Sequence, residues 1–241
     1  DGGYLITAET NSIGNGKNDI WLIKTDKNGK MKWDTTIGDK KDEYVSSTMI
    51  LPNDNIVVSG YKTVKDKFSV NKIIASLRNK TSSQRKNNKS FVAMLDKSGG
   101  NKWETEFFEE DPNLLASISY ANNQILLTGQ KSTRFNGKGD AWLISLGLNG
   151  KKKWEESYGG RGADGGNYAI KASDGGYMMV GYTDAYGNGK NDIWLIKTDF
   201  TGEKEWSQVY GGKMDDYGWG VTETDDGGYV VVGETFSYGN G

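Results

Sequence analysis

The segment Asp1-Gly-Gly-Tyr4 returns as Asp174-Gly-Gly-Tyr177 and Asp226-Gly-Gly-Tyr229, and each copy opens an apolar run leading to a Gly-Asn-Gly turn. Trp33, Trp103, Trp154 and Trp206 each stand four residues after a glycine, Gly29, Gly99, Gly150 and Gly202, at intervals of 70, 51 and 52 residues. A repeat of that length carrying several short strands cannot bury its apolar face alone, so neighbouring units must share a core. The expected fold class is therefore all-β: a β-propeller of four-stranded antiparallel blades in one domain over residues 1–241, with about five blade positions.

The unit from Ala163 to Tyr210 shows the pattern strand by strand. Gly166–Lys171, Tyr177–Tyr182, Asp192–Thr198 and Glu205–Tyr210 read as strands, separated by Asp-Gly-Gly, Gly-Asn-Gly and Thr-Gly turns. Glycine and asparagine tolerate the positive φ such turns need. The repeat units run over about 1–52, 53–121, 122–173 and 174–225, with a partial unit over 226–241. The second carries an insertion, Lys62 to Lys89, because Ile56 to Phe91 spans 35 residues where Tyr4 to Trp21 spans 17. If the innermost strand is the small-residue one, the first blade lacks its inner strand and the last its outer two. Both ends share one phase, so an excerpt of a longer array is expected, with a compact five-bladed ring as the alternative.

Composition removes whole classes of chemistry. The 241 residues contain no cysteine and no histidine, which excludes disulfides, thiolate nucleophiles, Ser-His-Asp machinery and most zinc sites. The net charge of −2 supplies no global field to recruit nucleic acid or an anionic membrane. No run of eighteen apolar residues suggests membrane insertion.

The stretch Tyr210-Gly-Gly-Lys-Met-Asp-Asp-Tyr-Gly-Trp-Gly-Val through Thr235, with Asn191-Asp-Ile-Trp-Leu-Ile-Lys-Thr-Asp through Trp206, resembles the bacterial β-propeller repeats of secreted and surface-anchored proteins. That resemblance implies an extracellular or cell-surface module. The Asp-x-x-Gly-x-x-x-Trp element (Asp26 to Trp33, Asp96 to Trp103, Asp199 to Trp206) is also similar to the tryptophan-docking repeat of quinoprotein propellers, although Gly147 replaces the aspartate in the third unit. Those enzymes hold their quinone beside a vicinal disulfide and metal ligands, which a cysteine-free chain does not match, so no cofactor is expected.

Because the periodic tryptophans are explained by stacking of units, positions that break the period are the better site candidates. Trp219 is one: the other units carry Ser46, Asn167 and either Leu115 or Ala116 at its phase. With Asp215, Asp216 and Tyr217 it is expected to meet a ligand at the channel mouth. The insertion is basic, and its Lys72, Arg78 and Arg85 are candidates for an anionic polymer such as a teichoic acid, the alternative being a solvated loop. The Gly14–Asp19 and Gly187–Asp192 segments cluster oxygen donors but lack the order of an EF-hand loop, so plain turns are preferred and no metal site is expected. The doublets Glu155-Glu156 and Asp215-Asp216 and the run Glu109-Glu110-Asp111 make poor catalytic couples, since adjacent strand residues face opposite ways. The functional expectation is a non-enzymatic binding or display module for a protein or polysaccharide. A glycan-processing enzyme with carboxylates at the channel mouth, or a rigid spacer, are the alternatives.

Overall fold

The protein is represented by a computed structural model that describes residues 2–64, 87–107, 113–132 and 139–239. The described residues form seventeen strands in five antiparallel sheets. The first sheet holds β1 (Leu5–Thr10), β2 (Asp19–Thr25) and β3 (Met31–Ile37); the second holds β4 (Glu43–Ile50), β5 (Ile56–Val64), β6 (Asn87–Leu95) and β7 (Asn101–Phe107). The third holds β8 (Leu114–Ala121), β9 (Gln124–Ser132), β10 (Gly139–Gly147) and β11 (Lys152–Tyr158). The fourth holds β12 (Asp164–Lys171), β13 (Tyr177–Thr183), β14 (Asp192–Thr198) and β15 (Lys204–Tyr210), and β16 (Asp216–Glu223) pairs with β17 (Tyr229–Thr235) in the fifth.

Within each sheet the strands pair in sequence order, each antiparallel to the one before it. The turn before each last strand shows how the sequence makes a hairpin. Asp199 Oδ1 accepts the amides of Thr201 and Glu203 at 2.8 and 2.9 Å, and Asp96 does the same for Ser98 and Gly100. In the third sheet, where Gly147 replaces this aspartate, Asn149 Oδ1 accepts the Lys151 amide instead, at 3.2 Å.

Side chains alternate across a strand, and here both faces are covered by the neighbouring sheets. Leu126 and Leu143 pack with Tyr177, Met179 and Trp194 at one junction, whereas Ile125, Leu127 and Ile144 pack with Val57, Val92 and Met94 at the other. This two-sided burial accounts for continuous apolar runs such as Tyr177-Met-Met-Val180 where a half-buried strand would alternate. The leading strands β4, β8, β12 and β16 approach one another in turn, which makes them the inner edges of the stack.

The periodic tryptophans lock the outer rim. A Cβ on Gly150 would lie 2.7 Å from the Trp103 ring, and one on Gly202 would lie 2.7 Å from Trp154; both glycines also have positive φ, 75° and 91°. Trp33, Trp103 and Trp154 each lie against the turn of the following sheet, and Trp103 Nε1 donates to Leu148 O at 2.9 Å. Trp103→Ala should cost about 2 kcal/mol and Trp103→Phe about 1 kcal/mol, since phenylalanine keeps most of the packing and loses the hydrogen bond. Denaturant midpoints would check the order; equal stability of the two variants would contradict it.

The insertion is shorter than the sequence suggests. β5 and β6 extend towards it as a paired hairpin, with Lys62 opposite Lys89, Thr63 opposite Asn88 and Val64 opposite Asn87. Lys62 and Lys89 therefore belong to the sheet, not to the inserted loop. Lys62 is buried, reaches Glu104 and Glu106 on β7 at 2.7 and 2.5 Å, and lies over the Phe91 ring. Burial opposes its charge, and the two glutamates more than offset that, so its pKa is raised. Lys72, Arg78 and Arg85 lie outside the described residues.

Candidate functional site

Each inner strand carries a β-bulge at the same place. Register shifts fall between Val45 and Ser47, Leu115 and Ser117, Gly166 and Tyr168, and Gly218 and Gly220. The extra residues are Ser46, Ala116, Asn167 and Trp219, so Ala116, not Leu115, stands at the Trp219 phase. A bulge re-aims the residue it inserts. Asn167 Nδ2 reaches across to the next sheet and donates to Gly218 O at 2.8 Å.

Trp219, in the fifth sheet, is 52% exposed. Its ring stacks on Tyr217 at 5.9 Å between centroids and 25° between planes, and Tyr217 meets Tyr182 edge-on at 5.3 Å. Polar groups frame this aromatic row. Asn191 Nδ2 donates to Tyr217 OH and to Asp215 Oδ1, both at 2.9 Å, and Lys190 Nζ stands 3.5 Å from Asp215 Oδ2. The hydrogen bond from Asn191 is the main reason the Asp215 carboxyl is held below its ordinary pKa, with the Lys190 charge helping.

Asp216 does not belong to that surface. It is 1% exposed, and its oxygens accept hydrogen bonds from the Gly212 amide at 2.9 Å, Ser237 Oγ at 2.7 Å and Thr235 Oγ1. Burial opposes its ionisation, and these donors more than offset the penalty, leaving a lowered pKa. The doublet Asp215-Asp216 is thus split by the alternation of the strand, one carboxylate outside and one inside. Glu155 likewise turns to Lys152 at 2.7 Å and to Trp142 Nε1 at 3.2 Å. Glu109 to Asp111 lies outside the described residues.

The opposite ends of the inner strands form a cleft that the sequence pattern does not reveal. Met49, Ile50 and Pro52 from the second sheet, Tyr120 from the third, and Tyr168 and Lys171 from the fourth line it. The period marks where each strand ends, yet gives no sign that strand ends from three units meet. Among the described residues no three His, Cys, Asp or Glu side chains group to hold a metal ion, and no helix is long and apolar enough to cross a membrane. The Gly14–Asp19 and Gly187–Asp192 segments are turns closed by their own aspartates: Asp19 Oδ2 accepts the Gly16 amide at 2.9 Å and Asp192 Oδ2 the Asn188 amide at 3.0 Å.

Compared with solved structures, the chain is similar to the crystal structure of an ACO/RPE65 chimera, with a TM-score of 0.50 and 10% identity over 96% of this chain and 52% of that one. The fold is propeller-like and all-β. A point variant of the same chimera in a trigonal crystal form gives a TM-score of 0.43 at 11% identity, over 92% of this chain and 49% of that one. The chain thus spans about half the length of these structures. At such identities the likeness concerns the fold alone. No protein-family model and no curated protein matches the sequence.

Proposed function

We propose that the protein is a non-enzymatic binding module that takes a polysaccharide or protein ligand on the face formed by Tyr217 and Trp219. The reading rests chiefly on one observation: an exposed Trp219 stacked on half-buried Tyr217, with a fixed carboxylate and amide, Asp215 and Asn191, beside them. Flat aromatic faces match the apolar face of a sugar ring, and the flanking polar groups suit its hydroxyls. The likeness of the repeats to bacterial secreted propeller repeats favours an extracellular or cell-surface location and a cell-wall polymer or glycan as ligand.

Calorimetric titration of the protein with neutral oligosaccharides, peptidoglycan fragments and teichoic acid tests this. Binding to at least one, weakened roughly ten-fold (about 1.4 kcal/mol) by Trp219→Ala and less by Asp215→Asn, is the expected result. No binding to any of the panel, or equal binding by Trp219→Ala, would refute the assignment of this face. Release of product from a bound glycan would instead favour a glycan-processing enzyme.

A further inference from the structure

Three of the four junctions between consecutive described sheets bring a pair of carboxylates together. One stands at or beside the start of the strand that precedes each sheet's last strand, Asp19, Asp140 or Asp192, and the other at the start of the next sheet's inner strand, Glu43, Asp164 or Asp216. A glycine sits at the point where each pair converges. A Cβ on Gly38 would lie 1.9 Å from Asp19 Oδ1 and 2.7 Å from Glu43 Oε2; on Gly211 the distances would be 1.9 Å to Asp192 Oδ1 and 2.8 Å to Asp216 Oδ2. Gly159 stands in the same relation to Asp140 and Asp164.

The pair at Asp19 and Glu43 is the least satisfied. Asp19 is 1% and Glu43 2% exposed, yet Asp19 Oδ1 and both Glu43 oxygens lack a hydrogen bond of ordinary geometry, with the Asp39 amide merely near Glu43. Asp164 and Asp216, by contrast, accept from Thr183 and Thr235 and from the amides of Gly160 and Gly212. Two buried carboxylates with so few donors, the Gly16 amide on Asp19 Oδ2 among them, repel each other and bear a desolvation cost that is only partly offset. The surroundings add more negative charge, with Asp39 beside Glu43, and Lys62 already held by Glu104 and Glu106. At the one remaining junction the same two positions are Lys89 and Asn113, so no like-charged pair arises there.

We infer that the Asp19–Glu43 junction is a binding site for a divalent, oxygen-seeking cation of the calcium class, which ties the first sheet to the second. Calcium takes roughly six to eight oxygen ligands, including bidentate carboxylates, so this pair supplies up to about half the shell and leaves the remainder to main-chain carbonyls and water. The site differs from a calcium loop read along the sequence: its two acids come from separate sheets, and only stacking brings them together.

The test is calcium titration of protein stripped with EDTA, with thermal unfolding followed alongside. Calcium should bind and raise Tm by about 5 °C at a hundredfold excess over Kd. The double variant Asp19→Asn/Glu43→Gln should fold and bind one calcium ion fewer per chain. Should the double variant fail to fold, Glu43→Gln alone carries the same comparison. A parent protein that binds no calcium, or a variant with unchanged stoichiometry, overturns the inference.

Discussion

Replacing Gly181 by alanine should destabilise the protein by on the order of 4 kcal/mol and lower Tm by roughly 10 °C. Gly181 pairs with Gly166 beside the bulge at Asn167. A Cβ there would lie 1.8 Å from Gly165 O and 2.8 Å from its carbonyl carbon. The obstacle is backbone, so no side-chain rotation relieves it, and β12 must part from β13. The same collision awaits a Cβ at Gly60, 2.1 Å from Tyr44 O, and at Gly129, 2.0 Å from Leu114 O. Each inner-strand bulge therefore requires a glycine on its partner strand. Gly220→Ala is the control, because its nearest neighbour is the Val232 side chain at 3.1 Å, and it should cost less than about 1 kcal/mol. Scanning calorimetry of the two variants decides the matter; equal melting temperatures would show that the bulge yields easily.

In metal-free buffer, stability should fall as pH rises from 4.5 to 7, by about 3 kcal/mol in total. Glu43 has its pKa raised from 4.5 to about 7, chiefly by burial and further by the charges of Asp39 and Asp19, against an opposing amide of Asp39 and the charge of Lys62. The folded protein thus keeps a proton in that window which the unfolded chain has released. The stabilisation is complete below the unfolded pKa and is lost as pH passes through the folded one. Glu43→Gln removes the titration, so the difference between parent and variant should change across this window; a constant difference would rule Glu43 out as the source. Bound calcium competes with that proton, so saturating calcium should flatten the profile of the parent.

Much of the fold was legible because its signals are local. The order Gly166–Lys171, Tyr177–Tyr182, Asp192–Thr198 and Glu205–Tyr210 agrees with β12 to β15 to within a residue or two at each end, because hairpin turns and apolar runs act over a few residues. The phase of the tryptophans also predicted packing between units, and the ring of Trp103 on Gly150 supplies the contact. The limits of the insertion are less legible, because polar Lys62 and Lys89 read as loop residues, whereas strand pairing and Glu104 and Glu106 retain them in the sheet. Asp216 looked like a surface neighbour of Trp219 because the two are close in the chain, yet strand alternation turns it inwards.

The sequence by itself determined the strands, the turns and the stacking period, since each follows from short-range sterics and from apolar runs that must be covered on both faces. Only the tertiary structure decided where bulges re-aim Trp219, how strand ends from three sheets frame a cleft, and which carboxylates share a buried junction. Asp19 and Glu43 face each other because two sheets stack face to face; acidic residues recur at both positions in phase with the repeat, yet that the two meet depends on long-range packing.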